Sequence, residues 1–288
     1  MSKNQTKAQR REAARAEAAA LKARQEAAER RNKRITFGAL GAVVAALLAV
    51  VLIVIFTGGD DEPGGMALPN PTPEQTAESD TPPLPPSDGT PTVARADFGI
   101  VLGPDGRAGG PERTDIPELG IYFDYMCSAC YRFEMIHYEL LLSLADEGAA
   151  TVVLYPVVHM RGDSPRVAAA SLWVADYAPD QWFDYHVALF YEIWGEGSRN
   201  TSNAALADLA TEVGVPEQVT SGIRLGESLT TFEAWLEDAT AAFRNNPSLP
   251  DAQGRLGTPA IAINGERWVG SWPEGSGVLA QAIIDAAG

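Results

Sequence analysis

Cysteine is nearly absent from this chain. Its 288 residues hold two, both in the stretch "FDYMCSACYRFE" that runs from Phe123 to Glu134. That excludes a disulfide-dense scaffold and any zinc site built from two CxxC pairs. Histidine is scarce as well, at His137, His159 and His186 only, and lysine does not occur after Lys33. Residues 1–34 carry eleven Lys/Arg against four Asp/Glu, or +7, and the remainder carries eleven Arg against thirty-four Asp/Glu, or −23. So acidic a remainder repels phosphates and argues against nucleic acid as a partner. There is no internal repeat.

Charge is also missing, entirely, from "ITFGALGAVVAALLAVVLIVIF", the 22 residues Ile35–Phe56. A helix of that length rises ~33 Å at ~1.5 Å per residue, enough to cross a hydrocarbon core. The run has no polar face, unlike a buried soluble helix, and it is longer than the ~7–15 apolar residues usual in a cleaved signal peptide. We therefore expect a single transmembrane helix over 35–57. "NKR" precedes it and "GGDDE" follows closely, so the positive-inside rule places the basic tail 1–34 in the cytoplasm and the remainder outside. The tail is rich in helix formers and reads as a solvated, partly helical segment, with anionic-lipid or partner binding as the alternative.

Residues 58–95 are rich in proline, glycine and acidic side chains and lack apolar periodicity. They read as a disordered tether that reaches at most roughly 100 Å at ~3.1 Å per residue. The rest, 96–288, reads as one α/β unit. Strands are expected at Phe98–Leu102, Gly120–Tyr125 and Thr151–Val158. A helix with a stripe of Phe133, Ile136, Leu140, Leu141 and Leu144 stands between the last two and stops at Glu147–Gly148. A helical block covers about 163–247, with Ser164 and Pro165 at the N-cap and N1 of its first helix. Thr258–Gly270 reads as a hairpin turning at Asn264–Gly265, and a last helix closes the chain.

Four chemistries suit Cys127 and Cys130. Zinc needs about four ligands, and His137 lies ~10.5 Å along a helix axis from Cys130. Haem attachment needs histidine directly after the second cysteine, where Tyr131 stands. A purely structural disulfide would close a very short loop and gain little. The fourth, a redox dithiol, suits a motif at the junction of a strand and a helix. There the first sulfur meets the free N–H groups and the positive end of the helix dipole, which lower a thiol pKa from ~8.5 toward ~3.5–7.5. Cys127 is then the attacking thiolate and Cys130, one turn inside, the resolving thiol.

A strand followed by Asp124-Tyr125-Met126-Cys127, with Ser128 and Ala129 inside the motif and Tyr131 and Phe133 after it, resembles the DsbA-like branch of the thioredoxin superfamily. The resemblance covers Phe98–Gly288 and includes the inserted helical block. It implies a thioredoxin-like fold with an inserted helical subdomain, and an enzyme that forms disulfides in exported proteins. The alternatives are a reductase or isomerase, or a non-catalytic binding module. No cofactor is implied beyond the Cys127–Cys130 disulfide, and no metal; a quinone-linked membrane protein is implied as the reoxidising partner. "GTP" at Gly257–Pro259 implies a cis Thr258–Pro259 bond beside the dithiol, with the Thr258 backbone pairing to substrate.

Two departures stand out. Many relatives place proline or histidine between the cysteines, so Ser128 and Ala129 imply a less extreme thiolate. The buried acid common six residues before the first cysteine is Ile121 here. Asp124 is the candidate substitute, against a plainer expectation of a partly exposed capping acid. His159 is a weaker candidate for the groove. The aromatics Trp182, Phe183, Tyr185, Phe190, Tyr191 and Trp194 read as packed core.

Overall fold

The structure, a computed structural model, describes residue 84 and residues 87–160, 162–195 and 198–288. The basic tail and the proposed transmembrane helix lie outside the described residues. Among the described residues, no helix is long and apolar enough to cross a membrane.

Five strands form one sheet: β1 (Ile100–Val101), β2 (Glu118–Phe123), β3 (Thr151–Pro156), β4 (Ala260–Ile263) and β5 (Glu266–Arg267), in the order β1-β3-β2-β4-β5. β2 and β3 pair in parallel, and the other pairs are antiparallel. The parallel pair needs a crossover, which is α1 (Ser128–Asp146). β3 is buried throughout, as a β-branched strand covered on both faces should be. The helical insertion holds α2 (Ser164–Tyr177), α3 (Trp182–Trp194), α4 (Asn203–Glu212), α5 (Glu217–Leu225) and α6 (Glu227–Asn245), and α7 (Ser276–Ala286) closes the chain.

Alternation along the strands sends side chains to the two faces of the sheet. Leu119, Ile121 and Phe123 meet Phe133 and Leu141 of α1 and Leu279 and Ile283 of α7. Ala260 and Ala262 point the other way, toward Val157 and Phe243 of α6. The hairpin turns with Asn264 at φ 51° and Gly265 at φ 81°, the left-handed pair that matches strand twist. Asn264 also locks the turn to β2, its side-chain oxygen accepting from Glu118 N at 2.9 Å.

Several expectations need correction. The first strand is shorter than expected because Phe98 turns at φ 70°. β2 lies two residues earlier than expected, since Asp124 leaves the ladder. The N-cap of α2 is Asp163, with Ser164 at the first helical position, because the Ser164 hydroxyl is used elsewhere. α5 was not separately foreseen; Gly222 in its middle lets Trp173 pack against the helix backbone. The ordered body also begins before residue 96. Thr92 donates from N and Oγ1 to Asp176 at 2.6 Å each, and Val93 packs on the main core, so 87–95 is not part of a disordered tether.

Candidate active site

β2 delivers the chain to the site and Asp124 shapes the approach. Asp124 is not the partly exposed capping acid of the plainer expectation: its side chain is 1% exposed. Oδ1 accepts from Met126 N at 2.8 Å, and Oδ2 from Met160 N at 2.7 Å and Ser164 Oγ at 2.8 Å. It thus ties the dithiol loop, the end of β3 and the start of α2 together. Burial raises its pKa against the pull of those donors.

The carbonyl of Asp124 then accepts from Cys127 N at 3.0 Å, and Cys127, extended at φ −101° and ψ 112°, becomes the N-cap of α1. Its sulfur makes no close capping bond as a thiol. It donates instead to the Thr258 carbonyl at 3.3 Å. As an anion it is favoured first by the Cys130 S–H, then by the Thr258 hydroxyl and by the amides of Cys130 and Ala129. These outweigh burial and bring its pKa down to about 6. Cys130 is deeper, 2% exposed against 7% for Cys127, and both are free thiols. Burial, and then the neighbouring Cys127 sulfur, push the Cys130 pKa well up. One thiol is poised to ionise and its partner is held protonated.

Ser128 is exposed and Ala129 partly buried at the first turn. The Thr258–Pro259 bond is cis, and Thr258 Oγ1 is buried without a hydrogen-bond partner. That hydroxyl is free to donate to a thiolate. Thr258→Val removes it at nearly constant volume, and a lost hydrogen bond of ~1 kcal/mol corresponds to a rise of about 0.5–1 unit in the Cys127 pKa. Thiolate absorbance at 240 nm measures it, and an unchanged titration would show that the hydroxyl does not reach the anion.

His159 follows β3 with its ring edge on Phe243 at 5.8 Å and Nδ1 buried without a partner. Of the aromatic group, Trp182, Phe183, Tyr185 and Phe190 are core, while Tyr191 is 48% exposed. Trp194 donates from Nε1 to the Tyr125 carbonyl at 2.8 Å and so braces the dithiol loop. Among the described residues no group of three His, Cys, Asp or Glu is placed to hold a metal.

One cluster escaped the sequence reading. Glu134, one helical turn past Cys130, is 2% exposed, and its Oε2 lies 3.4 Å from His186 Nε2 on α3. His186 Nδ1 is 2.7 Å from Tyr125 OH, which donates to Ser171 Oγ at 2.6 Å. The only advance signal was a charge and an imidazole on otherwise apolar helical stripes.

A strand, an N-cap cysteine with a second cysteine one turn inside, and a cis-proline loop against the first sulfur define a dithiol oxidoreductase site on a thioredoxin-like fold. The chain carries a DsbA-like fold and the dithiol of a thiol–disulfide oxidoreductase. It is similar to MdbA, a thiol–disulfide oxidoreductase from Actinomyces oris, at 26% identity and a TM-score of 0.57 over 68% of this chain and 92% of that one. BdbD from Bacillus subtilis shares the fold, at 18% identity and a TM-score of 0.52 over 67% of this chain and 95% of that one. MdbA from Corynebacterium diphtheriae does so at 18% identity and 0.50, over the same shares. No protein-family model and no curated protein matches the sequence.

Proposed function

We propose that this protein is anchored in the membrane by residues 35–57 and forms disulfides in exported proteins on the extracytoplasmic side. The observation that carries the reading is the asymmetry of the two thiols: Cys127 caps α1 against the cis Thr258–Pro259 loop, which favours its anion, while Cys130 is buried one turn inside and held protonated. A low-pKa thiol is a good leaving group, so a Cys127–Cys130 disulfide is readily given away. The span, its flanking charges and the persistence of disulfides outside the cytosol support the setting.

In the oxidising direction a substrate thiolate attacks Cys127 Sγ. The Cys127–Cys130 bond breaks, and Cys130 leaves as a thiolate and takes up a proton. A second substrate thiolate attacks the substrate sulfur of the mixed disulfide, and Cys127 leaves as a stable thiolate. Two electrons now rest on the pair, and a quinone-linked membrane partner removes them. Substrate backbone would pair with Thr258 as an added strand beside the dithiol. No further cofactor enters.

Cys130→Ser leaves Cys127 without its resolving thiol and is expected to accumulate mixed disulfides with exported proteins, visible as dithiothreitol-sensitive bands on non-reducing gels. Absence of such adducts would favour a binding module. Direction is set by the reduction potential, since ~30 mV is worth ~1.4 kcal/mol. A value close to thioredoxin's ~−270 mV would reverse the assignment to reductase.

A further inference from the structure

The sheet face opposite α1 is hollow. Gly120 and Tyr122 of β2 point to it, and Ala262 of β4 supplies only a methyl group. On α6, Ala239 and Ala242 keep the facing wall shallow. The result is a solvent-open cavity of about 310 Å³, within the size range of small-molecule sites, roughly 300–1,000 Å³. Its walls draw on all three apolar clusters, and neither Cys127 nor Cys130 lines it.

Its lining is aromatic and its rim acidic. Tyr155 and Tyr122 stack at 4.2 Å and 12°, and Tyr122 continues the row to Phe243 at 5.5 Å and 28°. Asp97 and Glu118 stand at the edge. Tyr155 OH donates to Asp97 Oδ2 at 2.9 Å. The chain's own Arg95 already lies across both acids, 2.8 Å from Asp97 and 2.7 Å from Glu118, with Glu112 at 3.8 Å. Three carboxylates against one guanidinium leave two negative charges over. Burial, and next Asp97, raise the pKa of both phenols, so they stay protonated beside the acids.

We propose that this cavity binds a guanidinium-type organic cation, such as an arginine side chain. A planar delocalised cation stacks on rings and presents a fork of donors to carboxylates; Arg95 makes the carboxylate contacts at the same rim. A compact ammonium is more strongly hydrated and lacks the flat face. An anion is repelled by the rim and by the −23 of the chain beyond residue 34.

Titration calorimetry on the detergent-solubilised full chain tests this with N-acetyl-arginine amide, its uncharged isostere N-acetyl-citrulline amide, and a short peptide with a central arginine. Arginine amide is expected to bind saturably, at about 1 mM or tighter, at least tenfold better than citrulline amide, and more weakly as salt rises. Ala242→Trp plugs the mouth from an exposed helix position, and Asp97→Asn removes rim charge. Each should weaken binding at least tenfold and leave Cys127 alkylation unchanged. A tenfold preference for the peptide identifies a polypeptide as the source of the cation; equal affinity identifies a free small molecule. No saturable binding, equal binding of citrulline, or arginine binding that survives Ala242→Trp overturns the proposal.

Discussion

Alkylation of the reduced protein by iodoacetamide is expected to level off just above pH 6, with all rapid labelling on Cys127. An ordinary cysteine titrates near ~8.5 and would still be gaining about tenfold per pH unit there. At pH 6 a thiol of pKa about 6 is half ionised, some 150-fold more than an ordinary one. Its anion is less nucleophilic, by about 13-fold for a Brønsted slope near 0.45, so the net advantage is roughly tenfold. Cys130 should stay unlabelled near neutrality, being both buried and held protonated. Cys130→Ala removes the largest single stabiliser of the anion and should move the plateau to higher pH. A rate that climbs without levelling through pH 8 would remove the basis for a thiolate at Cys127.

The same shift sets the pH dependence of the redox couple. The folded pKa of Cys127 lies below its unfolded value, so ionisation stabilises the reduced fold. That stability is complete above ~8.5 and fades as pH falls through about 6; at pH 7 it is on the order of 1 kcal/mol. The oxidised protein has no such term. Below pH 6 reduction takes up two protons and the potential falls by about 59 mV per pH unit. Between pH 6 and the Cys130 pKa it takes up one proton, and the slope halves to about 30 mV. The bend in that line reports the Cys127 pKa independently of any labelling reagent.

The parts of the site that were legible are the local ones. Two cysteines one helical turn apart, a β-branched strand before the next helix and Asn264–Gly265 between apolar runs each carry their meaning within a few residues. Asp124 shows the limit. Its place before the motif was plain, but its donors Met160 and Ser164 stand 36 and 40 residues further on. Nothing within its own segment distinguishes a clamp from a cap. The Tyr125–His186 contact spans 61 residues and joins the dithiol loop to α3. Helical periodicity assigns His186 to a buried face without saying what meets it there. α5 failed differently: a glycine inside a short helix weakens the local signal, and only the ring of Trp173 explains it.

His186→Ala is expected to lower the unfolding free energy of the reduced protein by ~3–5 kcal/mol, the scale of removing a large buried ring. His186 is wholly buried, with Phe123 at 4.9 Å, Phe190 at 5.2 Å and Phe183 stacked at 5.5 Å. Truncation opens a ring-sized void and takes away the contact to Tyr125 OH. It also strips Glu134 of its neighbour, although Glu134 Oε1 already lacks a hydrogen-bond partner. A buried acid left alone costs more than the pair, so Glu134→Gln with His186→Phe should be far less damaging than His186→Ala. Urea denaturation at constant pH measures both, with equal slopes required for the comparison. A loss under ~1 kcal/mol for the alanine variant would mean that the cluster is hydrated and relaxes freely. The alkylation profile then separates support from chemistry. Tyr125 stands two residues before Cys127 and is braced from behind by Trp194, so the loop should hold in the double variant. Half-maximal labelling stays near pH 6 if the cluster is a foundation for that loop, and moves if Glu134 exchanges protons with the dithiol.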